Sequence, residues 1–169
     1  PVLRATPMLQ EKIPEPARPL QPVYVRGDSI AGQADVRAVI DGHAELRRSD
    51  TIVRANRMEY TVADDRLQAE GQVHINRAGN VFDGQRLDLE VEAFRGNFTD
   101  ANYRFLATQA HGDASEIEFL DRDRSIVHDA TYTTCQRDNE ASWEPDWVLK
   151  AKYIHLDQGE EVGYARGAK

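Results

Sequence analysis

The residues able to do chemistry in this chain are few and scattered. Five histidines, His43, His74, His111, His128 and His155, fall singly, mostly on the polar phase of alternating segments, where an imidazole is simply a solvated side chain. Neither Cys-x-x-Cys nor His-Glu-x-x-His occurs, and there is no glycine-rich phosphate loop or Gly-x-Ser-x-Gly elbow. Carboxylates pair at Asp64-Asp65 and at Asp121 with Asp123, but among turn-forming residues, where an Asp bonds its own backbone. The oxygen-rich spacing of a calcium loop is not completed. Arg26-Gly27-Asp28 spells an adhesion tripeptide, yet its glycine falls in the small-residue phase of a repeat described below. These patterns predict no enzyme, no metal and no cofactor. The single cysteine, Cys135, cannot form an internal disulfide, so it is buried, free, or waiting for a partner outside the chain.

The chain that must position these residues has 169 residues, enough for one domain with a real core. Its net charge of −8 argues against nucleic acid, whose binders need a basic face, and against a polybasic membrane-surface mode. No apolar run approaches the roughly 20 residues of a membrane span, and no secretory signal opens at Pro1. Residues 1–22 hold six of the seven prolines and no glycine, which predicts an extended linker with the folded region beginning near Val23.

From there the sequence repeats. Asp41-Gly42, Glu70-Gly71, Asp100-Ala101, Asp129-Ala130 and Arg166-Gly167 recur at spacings of 29, 30, 29 and 37. A second marker, a small residue followed three positions later by an aliphatic, appears at Ala55/Met58, Gly84/Leu87, Ala114/Ile117 and Ala151/Ile154, with a weaker copy at Gly27/Ile30. The two markers share their spacings; the long last interval reflects an insertion over Gln136 to Asp146. Within each copy the period is two: Leu87, Leu89 and Val91 alternate with Arg86, Asp88 and Glu90, and Val73 and Ile75 with Gln72 and His74. Turn residues separate the runs at 63–66, 78–80, 121–123 and 157–159. This predicts an all-β, repeat-built antiparallel sheet with about two strands per copy and open end strands, folded so that its apolar rows meet. The row Met58, Tyr60, Leu87, Leu89, Ile117, Phe119, Ile154 and Leu156 is either a core that touches itself or a groove held apart; alternation alone fits both.

Several stretches resemble a known family. Asp50-Thr51-Ile52-Val53-Arg54-Ala55-Asn56 with Ala69-Glu70-Gly71-Gln72-Val73 resembles the repeat of periplasmic lipopolysaccharide-transport proteins. Ala130-Thr131-Tyr132-Thr133-Thr134-Cys135, then Trp147-Val148-Leu149-Lys150-Ala151 and Val162-Gly163-Tyr164-Ala165-Arg166, is similar to the N-terminal domain of the outer-membrane lipopolysaccharide-assembly (organic-solvent-tolerance, OstA-like) family. The likeness covers Val23 to the end. It implies a β-jellyroll, V-shaped in section, on the periplasmic face of the Gram-negative outer membrane. It implies acyl chains held by Met58, Tyr60, Val73, Ile75, Leu87, Leu89, Ile117, Phe119, Ile154 and Leu156. It also implies an edge at Val23, Val25 and Ile30 that pairs with a periplasmic bridge protein, and a following outer-membrane barrel with its plug lipoprotein. Cys135 would pair with a barrel cysteine in that oxidising compartment. Three features depart from the family pattern: Gln136-Arg137-Asp138 replaces a proline-rich continuation, the insertion bearing Trp143 and Pro145 is long, and a second N-terminal cysteine is missing. The chain also stops at Lys169 in mid-repeat, as a fragment would. The alternatives are the soluble bridge protein, a dry-cored structural adaptor and a polysaccharide-active β-solenoid; the last would need convergent groove carboxylates, whereas the acidic residues here spread evenly.

Overall fold

The computed structural model describes residues 14–136 and 144–169. Among the described residues eleven antiparallel strands form one open sheet. These are β1 (Tyr24–Arg26), β2 (Ser29–Gln33), β3 (Arg37–Arg48), β4 (Thr51–Thr61), β5 (Arg66–Arg77), β6 (Asn80–Glu90), β7 (Arg95–Phe105), β8 (His111–Phe119), β9 (Arg124–Tyr132), β10 (Leu149–Asp157) and β11 (Val162–Arg166). From β3 to β11 each strand pairs with the next. β1 and β2 both pair with β3, on its C-terminal and N-terminal halves, so they act as one edge strand broken at Gly27-Asp28. The all-β, repeat-built sheet with open end strands stands as expected.

The repeat markers from Asp41-Gly42 to Asp129-Ala130 lie in mid-strand, not at turns, and they explain the shape. In β4 the inward residues are Val53 and Ala55, then Met58 and Tyr60, so the inward phase shifts by one across Asn56-Arg57. The same flip separates Phe82 from Leu87 in β6, Phe98 from Ala101 in β7, Ala114 from Ile117 in β8, Val127 from Ala130 in β9 and Ala151 from Ile154 in β10. A three-residue step between inward side chains leaves two adjacent residues pointing out, which bends the strand. Left-handed backbone marks the bend at Gly42 (φ 74), Gly71 (φ 77), Asp100 (φ 52) and Asp129 (φ 46); Gly, Asp and Asn tolerate that region best. Register shifts between Asp41 and Ala44 and between Glu70 and Val73 fall on the same line. The crease is lined inside by small residues: Ala44 opposes Ala55, Ala101 opposes Ala114 and Ala130 opposes Ala151.

Strands of 11–12 residues span about 35–40 Å, and the crease divides each into two walls. The walls close on one another. Ile40, Leu46, Val53, Met58, Leu67, Val73, Ile75, Leu87, Leu89, Phe98 and Ile117 are all buried in a single core cluster drawn from both halves. Outside, charges pair across strands, as at Arg66–Asp88 (2.6 Å) and Arg57–Asp41 (2.7 Å).

The proline-rich segment departs from expectation. Residues 1–13 lie outside the described residues, but Glu15–Leu20 is a 3₁₀ helix rather than an extended linker, with proline at its start, where a missing N–H costs nothing. It is held by Arg18, buried at 6% exposure, which bonds Asp50 and Glu92. The part of the insertion that bears Trp143 likewise lies outside the described residues.

Candidate functional site

Hairpin turns alternate between two lips of the folded sheet. One lip carries the turns at 48–51, 77–80 and 105–111; the other carries those at 61–66, 90–95, 119–124 and 157–162. Between them lies the apolar interior. A line of polar contacts joins the lips from the N-terminal end. Arg48 pairs with Asp65 and, at 3.6 Å, with Glu92. Arg18 bridges Asp50 on the first lip (2.5 Å) and Glu92 on the second (3.2 Å). Glu92 also receives Arg122. Further along, Arg77 donates to the backbone carbonyl of Arg122 and stacks over Phe94 at 4.7 Å, and the Asn80 amide donates to Gln158 at 2.6 Å. Burial pushes the Asp50 carboxyl up, but the hydrogen bond and charge of Arg18 outweigh it and hold the group below its usual range.

Beyond Asn80 and Gln158 the lips part. A cleft of about 710 Å³ opens there, lined on one side by Ala78, Phe105, Tyr132 and Leu149 and on the other by Ile154, Leu156 and Val162. It is continuous with the core, since Phe105 and Ile154 belong to both. The molecule is thus zipped at its N-terminal end and open at its C-terminal end.

The structure gathers the expected apolar residues around one interior. Met58, Tyr60, Leu87, Leu89, Ile117, Phe119 and Ile154 lie buried on one wall, with Leu156 partly buried beside them. Val73 and Ile75 lie on the facing wall. Of the edge residues, Val23 and Val25 pack partly against the core, whereas Ile30 on β2 is 52% exposed. Sequence reasoning misses most of the facing wall: Leu46, Val53, Phe82, Tyr103 and Phe105. The signal for it is the three-residue step, present at Phe98/Ala101 and Val127/Ala130 as well as at the four strong small-then-aliphatic markers. The polar seam is also missed, because its members sit in turns far apart in sequence.

Cys135 is a free, partly exposed thiol. A hydrogen bond with Thr133, then the Trp147 carbonyl 3.9 Å from its Sγ, hold its pKa below the usual thiol value. The histidines do not converge: His43 pairs with Asp28 (2.8 Å) and His74 with Asp83 (2.6 Å), both on the outer surface. Among the described residues no group of three His, Cys, Asp or Glu is placed to hold a metal.

A single open antiparallel sheet, creased along a line of small residues and closed over an apolar interior, defines the chain as a repeat-built β-jellyroll domain. Sequence comparison gives its family. The chain is 62% identical over 165 residues to the LPS-assembly protein LptD of Acidovorax sp. (strain JS42), 56% over 167 to that of Paracidovorax citrulli and 45% over 166 to that of Polaromonas sp.. The chain belongs to the LPS-assembly protein family. It is matched over 98–99% of its own length and spans about a fifth of each of these relatives. No family model matches it. Among solved structures, LptH, the LptA-homologous periplasmic component of the lipopolysaccharide transport device of Pseudomonas aeruginosa, aligns with 89% of the chain at 14% identity and a TM-score of 0.36, a likeness too slight to carry an inference.

Proposed function

We propose that this chain is a lipopolysaccharide-transport domain of the Gram-negative periplasm, holding acyl chains in its interior and performing no covalent chemistry. The observation that carries the reading is the continuous apolar interior between two walls, sealed outside by charge and open at one end. Membership of a family whose relatives are called LPS-assembly proteins supports it. Each acyl methylene withdrawn from water is worth about 0.8 kcal/mol, so a lipid crossing an aqueous space needs such an interior. Similar apolar rows at every repeat offer equivalent sites, which lower the barrier to sliding.

In this scheme the edge formed by β1 and β2, with Val23, Val25 and Ile30, accepts a strand from the bridge protein that delivers lipid. Chains then lie against Met58, Tyr60, Leu87, Leu89, Ile117, Phe119, Ile154 and Leu156 on one wall and Val73 and Ile75 on the other. They leave through the open C-terminal cleft toward an outer-membrane barrel and its plug lipoprotein, with Cys135 tethered to the barrel by a disulfide. Because Met58 and Leu87 are fully buried here, the walls must separate for lipid to enter.

That same burial favours a second reading, a structural adaptor with a dry core. Photo-crosslinking decides between them. Probes at Tyr132, Leu149 and Leu156 at the cleft and at Ile117 within should capture lipopolysaccharide, whereas probes at Arg57, Arg86 and Glu116 outside should not. Equal or absent capture by a folded chain selects the adaptor.

A further inference from the structure

Among the described residues of the seam, Arg77 differs from Arg18, Arg48 and Arg122 in pairing with no carboxylate. It stands at the last residue of β5, where the zipped part of the seam gives way to the cleft whose lining begins at Ala78 and Asn80. Its guanidinium lies 4.7 Å over the Phe94 ring and donates to the Arg122 carbonyl. Yet it makes no ion pair among the described residues, and its Nε is buried without a hydrogen-bond partner. Asp50 and Asp123 act on it only through longer-range charge, while Arg18 and Arg122 oppose it, and burial pushes its pKa down. A buried cation in this state is costly unless an anion arrives to pair with it. By contrast Arg18, Arg48 and Arg122 have carboxylate partners.

We propose that Arg77, flanked by Arg122, is the subsite for a phosphate monoester on the head group of the lipid whose chains occupy the cleft. This rests on the lipid-transport reading and adds to it the part of the substrate recognised and the residue that recognises it. A chain lying between Phe105 and Leu156 would keep its polar end at the lips, where the cleft lining begins at Ala78, the residue that follows Arg77. The guanidinium N–H groups not taken by the Arg122 carbonyl can make charge-assisted bonds to phosphate oxygens once the walls part, and the phosphate supplies the countercharge that Arg77 lacks.

The test compares binding of a diphosphorylated, acylated glucosamine disaccharide with its dephosphorylated counterpart, using the purified chain, Arg77→Gln and Arg77→Lys, alongside melting of each. The wild type should prefer the phosphorylated lipid by about tenfold, the difference expected of one charge-assisted contact. Arg77→Gln should lose that preference while still binding the dephosphorylated form, and Arg77→Lys should keep part of it. Arg77→Gln should melt within about 2 °C of wild type, because relief of a buried cation without an ion pair offsets the lost stacking on Phe94 and hydrogen bond to Arg122. An unchanged preference in Arg77→Gln overturns the subsite and leaves lipid transport standing. Binding of neither lipid overturns both. If millimolar inorganic phosphate alone raises the melting point of wild type but not of Arg77→Gln, and to the extent the lipid does, the site is one for free phosphate and the head-group assignment falls.

Discussion

Phe82 on β6 and Phe119 on β8 meet edge to face across the interior, ring centroids 5.1 Å apart at 83°. Their strands are not neighbours, since β7 lies between them. Phe82 stands before the crease of its strand and Phe119 after the crease of its own, so their contact joins one wall to the other. Phe94 extends the contact, 4.8 Å from Phe119. Removing either ring should cost about 3–5 kcal/mol in urea unfolding. A double-mutant cycle of Phe82→Ala and Phe119→Ala should show coupling of about 0.5–1.5 kcal/mol. Strict additivity would mean that the walls do not touch there.

Glu92 is the carboxylate on which Arg18, Arg48 and Arg122 converge, its side chain 17% exposed. Glu92→Gln leaves three guanidiniums facing one another with their shared anion gone. The expected loss is about 2–3 kcal/mol, below that of breaking a fully buried pair because water still reaches the site. Hydrogen exchange should rise at the turns on both lips and stay unchanged along the crease. Protection lost uniformly would show that Glu92 holds up the whole fold rather than the seam.

The sheet, its repeat length and its turns are legible in the sequence because alternation and turn chemistry are local. The crease is half legible. The small-then-aliphatic step at Ala55/Met58 and Gly84/Leu87 is its signature, yet a period-two reading treats such a step as background. For the same reason Phe82 and Tyr103 escape notice as inward residues: each lies out of phase with the inward residues beyond its crease. The seam cannot be read from sequence at all, because Arg18, Asp50, Glu92 and Arg122 meet only once the walls have closed. Arg18 lies moreover in a stretch whose prolines predict an extended chain; the 3₁₀ turn forms where docking of one arginine outweighs that preference.

Glu45 on β3 points outward yet is only 6% exposed, covered by Arg47 and Arg54. Hydrogen bonds from Arg47 and then Arg54 hold its carboxyl at about 2, against an ordinary 4.5. A carboxyl lowered on folding stabilises above its unfolded pKa and loses that contribution as pH falls from about 4.5 to 2. Because both arginines are half exposed, the contribution is about 1 kcal/mol, or about 2–4 °C in melting temperature. Melting curves between about pH 6 and pH 2.5 should show this drop in the wild type and a shallower one in Glu45→Gln. Parallel curves would remove Glu45 from the acid response.

Gly84 marks the crease in β6, and a Cβ there would sit 2.7 Å from Phe98 Cζ and 2.8 Å from the Thr99 carbonyl oxygen. Neither neighbour can retreat without shifting the wall, so Gly84→Ala should destabilise by about 1–3 kcal/mol. Gly163 on β11 is the control: its nearest neighbour would be an ordinary 3.4 Å away, and Gly163→Ala should change stability by less than about 0.5 kcal/mol. Denaturant midpoints of the two variants measure the difference, and equal effects would contradict a tight inner angle at the crease.

Lipid can lie between the zipped walls only if they part to admit it. Pulsed electron–electron distance measurements test this most directly, with Cys135→Ser to leave only the introduced labels. One pair, Ser49→Cys with Ala63→Cys, reads the zipped end; another, Thr108→Cys with Glu160→Cys, reads the open end. Lipopolysaccharide should lengthen both distances, the second at lower lipid concentration than the first. Distances unchanged at saturating lipid would contradict the transport reading, because acyl chains could not then pass between the cleft and the buried rows at Met58 and Leu87.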